Sequence, residues 1–399
     1  MGEVMDADRS TDEGAPRKYF PGLDGLRFAA AFAVIIVHVE QVKALCGYAN
    51  GYSFVAHFPM AVTFFFVLSG FLITHLLLEE KRASGTICLK RFYMRRALRI
   101  WPLYFLIVLG GLLLLPLIPA LDLPEVSPRA QTDLVPKLFL FLFMLPQVAF
   151  VVFYPVPYVA QSWSIGVEEQ FYLLWPLLLK HTRRAVASMC LIILVMAAAR
   201  NIAEYAICSR RLTMFFELTQ LGAMSIGGMA AYCLVRQVKW PLRWLCNRYA
   251  YGGAIVLVVL LFAKPVAIPY VGWEVRSLVF GMLILNVACR PGPLVTLPAR
   301  VVGYLGKRSY GIYMYHPVAI GTSIWLVGHV GGFDLGTFFP SALLYGSTMT
   351  LTLALALLSY RFLETPLLAL KRSFHEEATP DPVSLRFPPT GETSVARAG

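Results

Sequence analysis

The chain has 399 residues, 58% of them hydrophobic and 15% charged, and its strongly positive mean hydropathy is carried in repeated apolar runs of about 20 residues. This is the composition of a polytopic membrane protein. A net charge of +12 would suggest a nucleic-acid partner in a soluble chain, but here the basic residues cluster in short loops between apolar runs, so the excess encodes topology and no nucleic acid is implied.

Residues 1–19 form a polar, partly acidic segment, and no cleavage-site pattern follows an apolar stretch, so the first hydrophobic helix is expected to be a retained anchor. Apolar segments then predict ten spans, at 28–45, 60–78, 99–119, 165–180, 185–207, 213–235, 248–268, 273–289, 309–328 and 339–361. The stretch 137–159 is apolar enough to cross but carries Pro146, Gln147, Pro155 and Pro157. If it crossed, the basic loops at 181–184, 236–248 and 306–308 would face outward, against the positive-inside bias. It is therefore expected to be re-entrant or packed on the outer face, where protein or water must satisfy its backbone. Residues 20–365 make up the transmembrane domain, and 366–399, rich in Pro, Ser, Thr and charge, a disordered cytoplasmic tail. The expected fold is all-α: a transmembrane helical bundle of about ten spans with both termini in the cytoplasm. No internal repeat is evident. Seven scattered cysteines without C-x-x-C spacing suggest neither a disulfide framework nor a metal site.

Arg27 and His38 lie 11 residues apart, almost three full helical turns, so both project from one face about 16 Å apart. Arg27 begins the first span at the cytoplasmic surface while His38 points into the membrane. A long ligand with an anionic head and a reactive end, such as acyl coenzyme A, fits that spacing. Arg96 and Arg99 share one helix face before the third span, and arginine grips phosphate with two bonds. A neutral imidazole at the thioester end would take the proton of an attacking hydroxyl. The plainer readings are an arginine snorkelling to headgroups, a histidine bonded to a neighbouring helix, and a basic loop, Glu79 to Arg99, that only sets topology.

Glu168 and Glu169 enter an apolar helix from the outer side, about 100° apart, so only one readily faces a central cavity. The other is expected to pair or to take part in a capping box with Ser162 or Ser164. Arg200 and Glu204, four apart, are expected to pair within the fifth span. There is no G-x-S-x-G, H-E-x-x-H, P-loop or dinucleotide fingerprint. His329 and Asp334 match an acyltransferase spacing by chance, and His57 and His316 sit near membrane boundaries where polar-tipped rings are ordinary.

The words FPGLDGLRFAAAFAVIIVH, FFFVLSGFLIT (Phe64 to Thr74), RFYMRRALRIWPLYF (Arg91 to Phe105), QSWSIGVEEQFYLLWPLL (Gln161 to Leu178), LGKRSYGIYMYHPV (Leu305 to Val318) and RFLETPLL (Arg361 to Leu368) together resemble the acyltransferase-3 family of membrane O-acyltransferases. The resemblance implies about ten helices and transfer of an acyl group, often acetyl, from cytoplasmic acyl-coenzyme A to a hydroxyl of a glycan, a lipid-linked saccharide or a small glycosylated product. It implies residence in a bacterial cytoplasmic membrane. The family's basic-residue and histidine pattern falls on Arg27 and His38, and its paired arginines on Arg96 and Arg99. Its Trp-Ser and Glu-Glu-Gln-Phe-Tyr words fall on residues 163–164 and 168–172. Some members carry a further SGNH-type domain that completes transfer, for which the tail here is expected to be too short. The expected roles are His38 as general base, Glu168 orienting His38 or the acceptor, and Arg27, Arg96 and Arg99 holding coenzyme A phosphates. No permanently bound cofactor or metal is expected. The competing reading is a secondary transporter or flippase of lipid-linked sugars, since intramembrane His, Arg and Glu also suit proton coupling.

Overall fold

Pro21 opens the first helix at the position where a missing N–H costs nothing, and apolar residues then carry it for 25 residues as α1 (Pro21–Leu45). The computed structural model describes residues 20–48, 60–121, 132–153, 155–263, 268–289 and 299–370. After α1 come α2 (Met60–Ser84), α3 (Leu89–Leu109), the short α4 (Leu134–Leu142) and α5 (Pro146–Val152), then α6 (Trp163–His181) and α7 (Ala185–Asn201). They are followed by α8 (Arg210–Leu218), α9 (Leu221–Val235), α10 (Lys239–Leu245), α11 (Arg248–Ala263) and α12 (Gly272–Cys289). The chain closes with α13 (Ala299–Lys307), α14 (Ser309–Ile324), α15 (Phe338–Ser359) and α16 (Thr365–Ala369). No strand occurs among the described residues.

The fold is the expected all-α membrane bundle, with α2 at its centre, buried along most of its length and packed on α1, α6, α9 and α12. Its closest neighbour is α9. A Cβ on Gly70 would run into the backbone of Met224, and one on Gly227 into the backbone of Val67, so these two glycines let the helix axes approach. In contrast, α7 and α11 expose Leu191, Leu194, Val195, Val256, Val259 and Leu260, the side chains of helices that face lipid.

Among the described residues, seven helices qualify as spans by length and apolarity, or eight if α10 and α11, bent by 67°, count as one. Counting that bent pair, the two expected spans still missing are those of α6 and α14. These carry Glu168, Glu169 and Lys180, and Tyr310, Tyr313, Tyr315 and His316, respectively, so their apolarity is diluted by the groups that build the site.

Where the 137–159 segment was expected, the chain forms two short helices, Leu134–Leu142 and Pro146–Val152, about 14 and 11 Å long, against a hydrocarbon core of about 30 Å. The chain breaks between them at Met144, whose φ of 57° is left-handed. Side chains donate to carbonyls at the break: Tyr104 Oη to Phe141 O at 2.8 Å, which also accepts the N–H of Met144, and Gln170 Nε2 to Met144 O at 2.9 Å.

Three local expectations are corrected. Arg200 pairs with both carboxylate oxygens of Glu274 on α12, at 3.0 and 2.9 Å, while Glu204 lies exposed in a π-helical stretch. The wider π turn changes the angular offset of residues four apart, and a two-pronged partner outcompetes a single contact. Ser162 caps nothing with its side chain, because its hydroxyl donates to Val159 O. Cys246 and Cys289 stand paired as a disulfide, bringing the end of α10 to the end of α12, a pairing across 43 residues that spacing could not reveal. Of the expected tail, residues 366–369 continue α16, and 371–399 lie outside the described residues, as does His57.

Candidate active site

The first turn of α1 places Asp24 and Arg27 on one side, and Arg27 Nη1 binds Asp24 Oδ1 at 2.9 Å. On α3, Arg95 turns to Glu80 of α2 at 3.7 Å, which leaves Arg96 and Arg99 to face the same space as Arg27. Arg96 packs its guanidinium over the rings of Tyr172 and Phe92, at 5.3 and 5.8 Å from their centroids. Arg99 is exposed. Among the described residues neither guanidinium is hydrogen-bonded or ion-paired.

All three arginines line a cavity of about 280 Å³. Glu168 lines it as well, fixed by hydrogen bonds from Ser69 Oγ at 2.9 Å and Tyr172 Oη at 2.7 Å. Its neighbour Glu169 points elsewhere and accepts the indole N–H of Trp101 at 2.8 Å. The α6 helix that presents both is anchored at mid-height by Trp175, which donates to Thr74 at 2.8 Å. It is anchored at its end by Lys81, whose ammonium donates to the carbonyls of Leu179 and Lys180 at 2.6 and 3.1 Å.

His38 lies at the other end of α1 and lines a second, larger cavity of about 920 Å³. Its Nδ1 is 2.9 Å from Val34 O. A carbonyl only accepts, so Nδ1 carries the proton and Nε2 presents a lone pair. The walls include Trp163, Trp273 and Tyr158 with Glu40, Gln161 and Gln220, a mixture of flat apolar faces and fixed polar groups. Glu40 is itself held by Lys43 at 3.1 Å and Tyr345 at 2.7 Å, and Lys43 also donates to Ser341 at 3.1 Å.

Among the described residues, the two cavities share Val62 and Tyr313 alone. Tyr313 Oη is 2.8 Å from Ser164 Oγ and donates to Gln161 O at 2.9 Å. Directly beyond it is His316, fully buried, with its ring 4.9 Å from that of His38 and 5.6 Å from that of Tyr313. His316 Nδ1 binds Tyr313 O at 2.5 Å, and Nε2 has no partner among the described residues.

Arg27, Arg96, Arg99 and Glu168 thus come together, and His38 stands apart from them across the Tyr313 wall. Glu168 does not orient His38, a task done by the Val34 carbonyl. Sequence reasoning missed His316 and Tyr313, which sit three apart on one face of α14, as do Tyr310 and Tyr313. The signal was that repeat of polar-tipped rings inside an apolar helix. His329, in the π-helical stretch Trp325–Val330, and Asp334, in the turn beyond it, are both exposed, and Asp334 Oδ1 accepts the N–H of Gly336 rather than anything from His329. Among the described residues no three His, Cys, Asp or Glu side chains come within reach of one metal ion.

An integral-membrane helical bundle with a cationic cavity at one end and a histidine cavity at the other is the class these observations define. The chain belongs to the acyltransferase-3 family, whose model, described as an acyltransferase domain, matches residues 20–361. It is similar to O-acetyltransferase OatA of Staphylococcus aureus (strain NCTC 8325 / PS 47), 26% identical over 386 residues that cover 92% of this chain and 60% of OatA. OatA of strain COL matches to the same extent, 26% over 386 residues. The chain spans about 57% to 60% of the length of the S. aureus relatives it matches. No solved structure matches.

Proposed function

We propose that this protein is a membrane O-acyltransferase that moves an acyl group, in the simplest case acetyl, from a coenzyme A thioester to a hydroxyl of a glycan, a lipid-linked saccharide or a glycosylated small product. The family membership and the name O-acetyltransferase on the relatives support the reaction class. The observation that carries the reading is the pair of cavities, one lined by three guanidinium groups and one by His38, meeting at a single narrow wall. The donor enters from the basic end, with its phosphates on Arg27, Arg96 and Arg99 and its thioester reaching inward, from the cytoplasm of a bacterial cell across its cytoplasmic membrane. The carboxylate of Glu168, held by Ser69 and Tyr172, lines the same cavity and offsets part of its positive charge. The acceptor lies in the larger cavity, where indole and phenol faces suit a sugar ring and the amide and carboxylate groups suit its hydroxyls. His38 Nε2 takes the proton of the attacking hydroxyl.

Purified protein supplied with acetyl-coenzyme A and candidate glycans should release free thiol together with acetylated product. His38→Ala should lower that rate by about 100 to 10,000-fold while the protein stays folded. Near-normal turnover in the variant would remove His38 from the mechanism.

A further inference from the structure

The attacking oxygen, once bonded to the thioester carbon, leaves a negative charge on the former carbonyl oxygen, and that charge needs a donor. This question rests on the acyl-transfer reading. On that reading the ligand runs from the arginine cavity to the His38 cavity past Val62 and Tyr313, which line both, and places the acyl carbonyl beside them. Most donors around that point are already committed. His38 and His316 give their Nδ1 hydrogens to the carbonyls of Val34 and Tyr313. Gln161 Nε2 gives both of its hydrogens away, to Tyr158 O at 2.9 Å and Met314 O at 3.1 Å. The phenol of Tyr313 differs. Its proton rests on Gln161 O, but Ser164 Oγ also reaches that carbonyl, at 3.2 Å, so the carbonyl keeps a partner when the phenol turns away.

The geometry points to Tyr313 as a catalytic residue, whose hydroxyl donates to the oxyanion formed where the two cavities meet. In the step itself the acceptor oxygen bonds to the carbonyl carbon, its proton passes to His38 Nε2, and the carbonyl π pair moves onto oxygen. On collapse the C=O re-forms, the C–S bond breaks, and the leaving thiolate takes from His38 the proton that came from the acceptor hydroxyl. Tyr313 keeps its own proton throughout. Ser164 acts as the substitute partner that makes the phenol available.

The test compares wild-type protein, Tyr313→Phe, and protein with 3-fluorotyrosine at position 313, a stronger donor of nearly the same shape. Each is assayed with acetyl-coenzyme A and an active acceptor, alongside direct coenzyme A binding and a thermal melt. Tyr313→Phe should lose about 100 to 1,000-fold in kcat with donor KM little changed, since the oxyanion exists only beyond the ground state. Fluorotyrosine should restore wild-type kcat or exceed it. If Tyr313→Phe keeps kcat within about threefold of wild type, or if fluorotyrosine is as slow as phenylalanine, the hydroxyl is not in the transition state and the proposal is overturned. A wild-type protein that binds coenzyme A but transfers nothing to any acceptor overturns the acyl-transfer reading, and this proposal with it.

Discussion

Arg96 and Arg99 are three residues apart and line the same cavity, yet their surroundings differ in a way that predicts different responses to substitution. Arg96 is half-buried with its guanidinium over the ring of Tyr172, a contact for which a delocalised guanidinium is better suited than an ammonium. Arg99 is exposed, so any charge interaction it makes is screened by water and salt. Replacing either with Gln should raise the donor KM with little effect on acceptor KM, because the phosphate end is bound equally in ground and transition states. Lysine should rescue Arg99 largely and Arg96 poorly. Titrations of coenzyme A binding at two salt concentrations check this, and a transporter of lipid-linked sugars would show no coenzyme A binding to titrate. The arginines were legible in the sequence because charge in a membrane protein is scarce and its spacing is readable. His316 and Tyr313 were not, because a ring with one polar tip is equally at home at an interface or in a core, and only packing told the two apart.

At the scale of the element, the contact between α2 and α9 depends on two positions with no side chain. Gly227→Val should force the helices apart, since the added atoms meet backbone of Val67 that cannot rotate away. Overpacking of this kind costs about 1 to 3 kcal/mol, read as a lower melting temperature in detergent. Because α2 also carries Ser69 and Val62, the same variant should weaken coenzyme A binding. A melt equal to wild type would mean the helix pair has slack that the structure does not show. Helix positions were legible from apolar length alone, so a helix stands in each of the ten ranges. The break at Met144 was legible only as a cluster of prolines. Its hydrogen-bond partners, Tyr104 and Gln170, lie 37 and 26 residues away from the carbonyls they satisfy, beyond the reach of local pattern.

For the whole molecule, sidedness follows from whether residues 137–159 cross. Single cysteines at Thr132 and at Phe338, both exposed, should label from outside in a cell if that segment stays on one face. If the segment crosses, every later loop changes side, and Phe338 will label only after the membrane is opened. Ser162 would be a poor probe for the same question, since it is fully buried.

The narrow wall at Val62 and Tyr313 has an electrical meaning. If the donor enters one cavity from the cytoplasm and the acceptor enters the other from outside, as proposed, the bulk potentials of both compartments reach inward and most of the membrane voltage falls across the wall between them. Moving one elementary charge through such a drop involves about 2.3 kcal/mol per 100 mV. A thioester and an ester are both neutral, and in the proposed reaction the phosphates stay on the arginine side. The acyl group therefore changes carriers at the steepest part of the field while no net charge travels with it, and the handover is insulated from the energised state of the membrane.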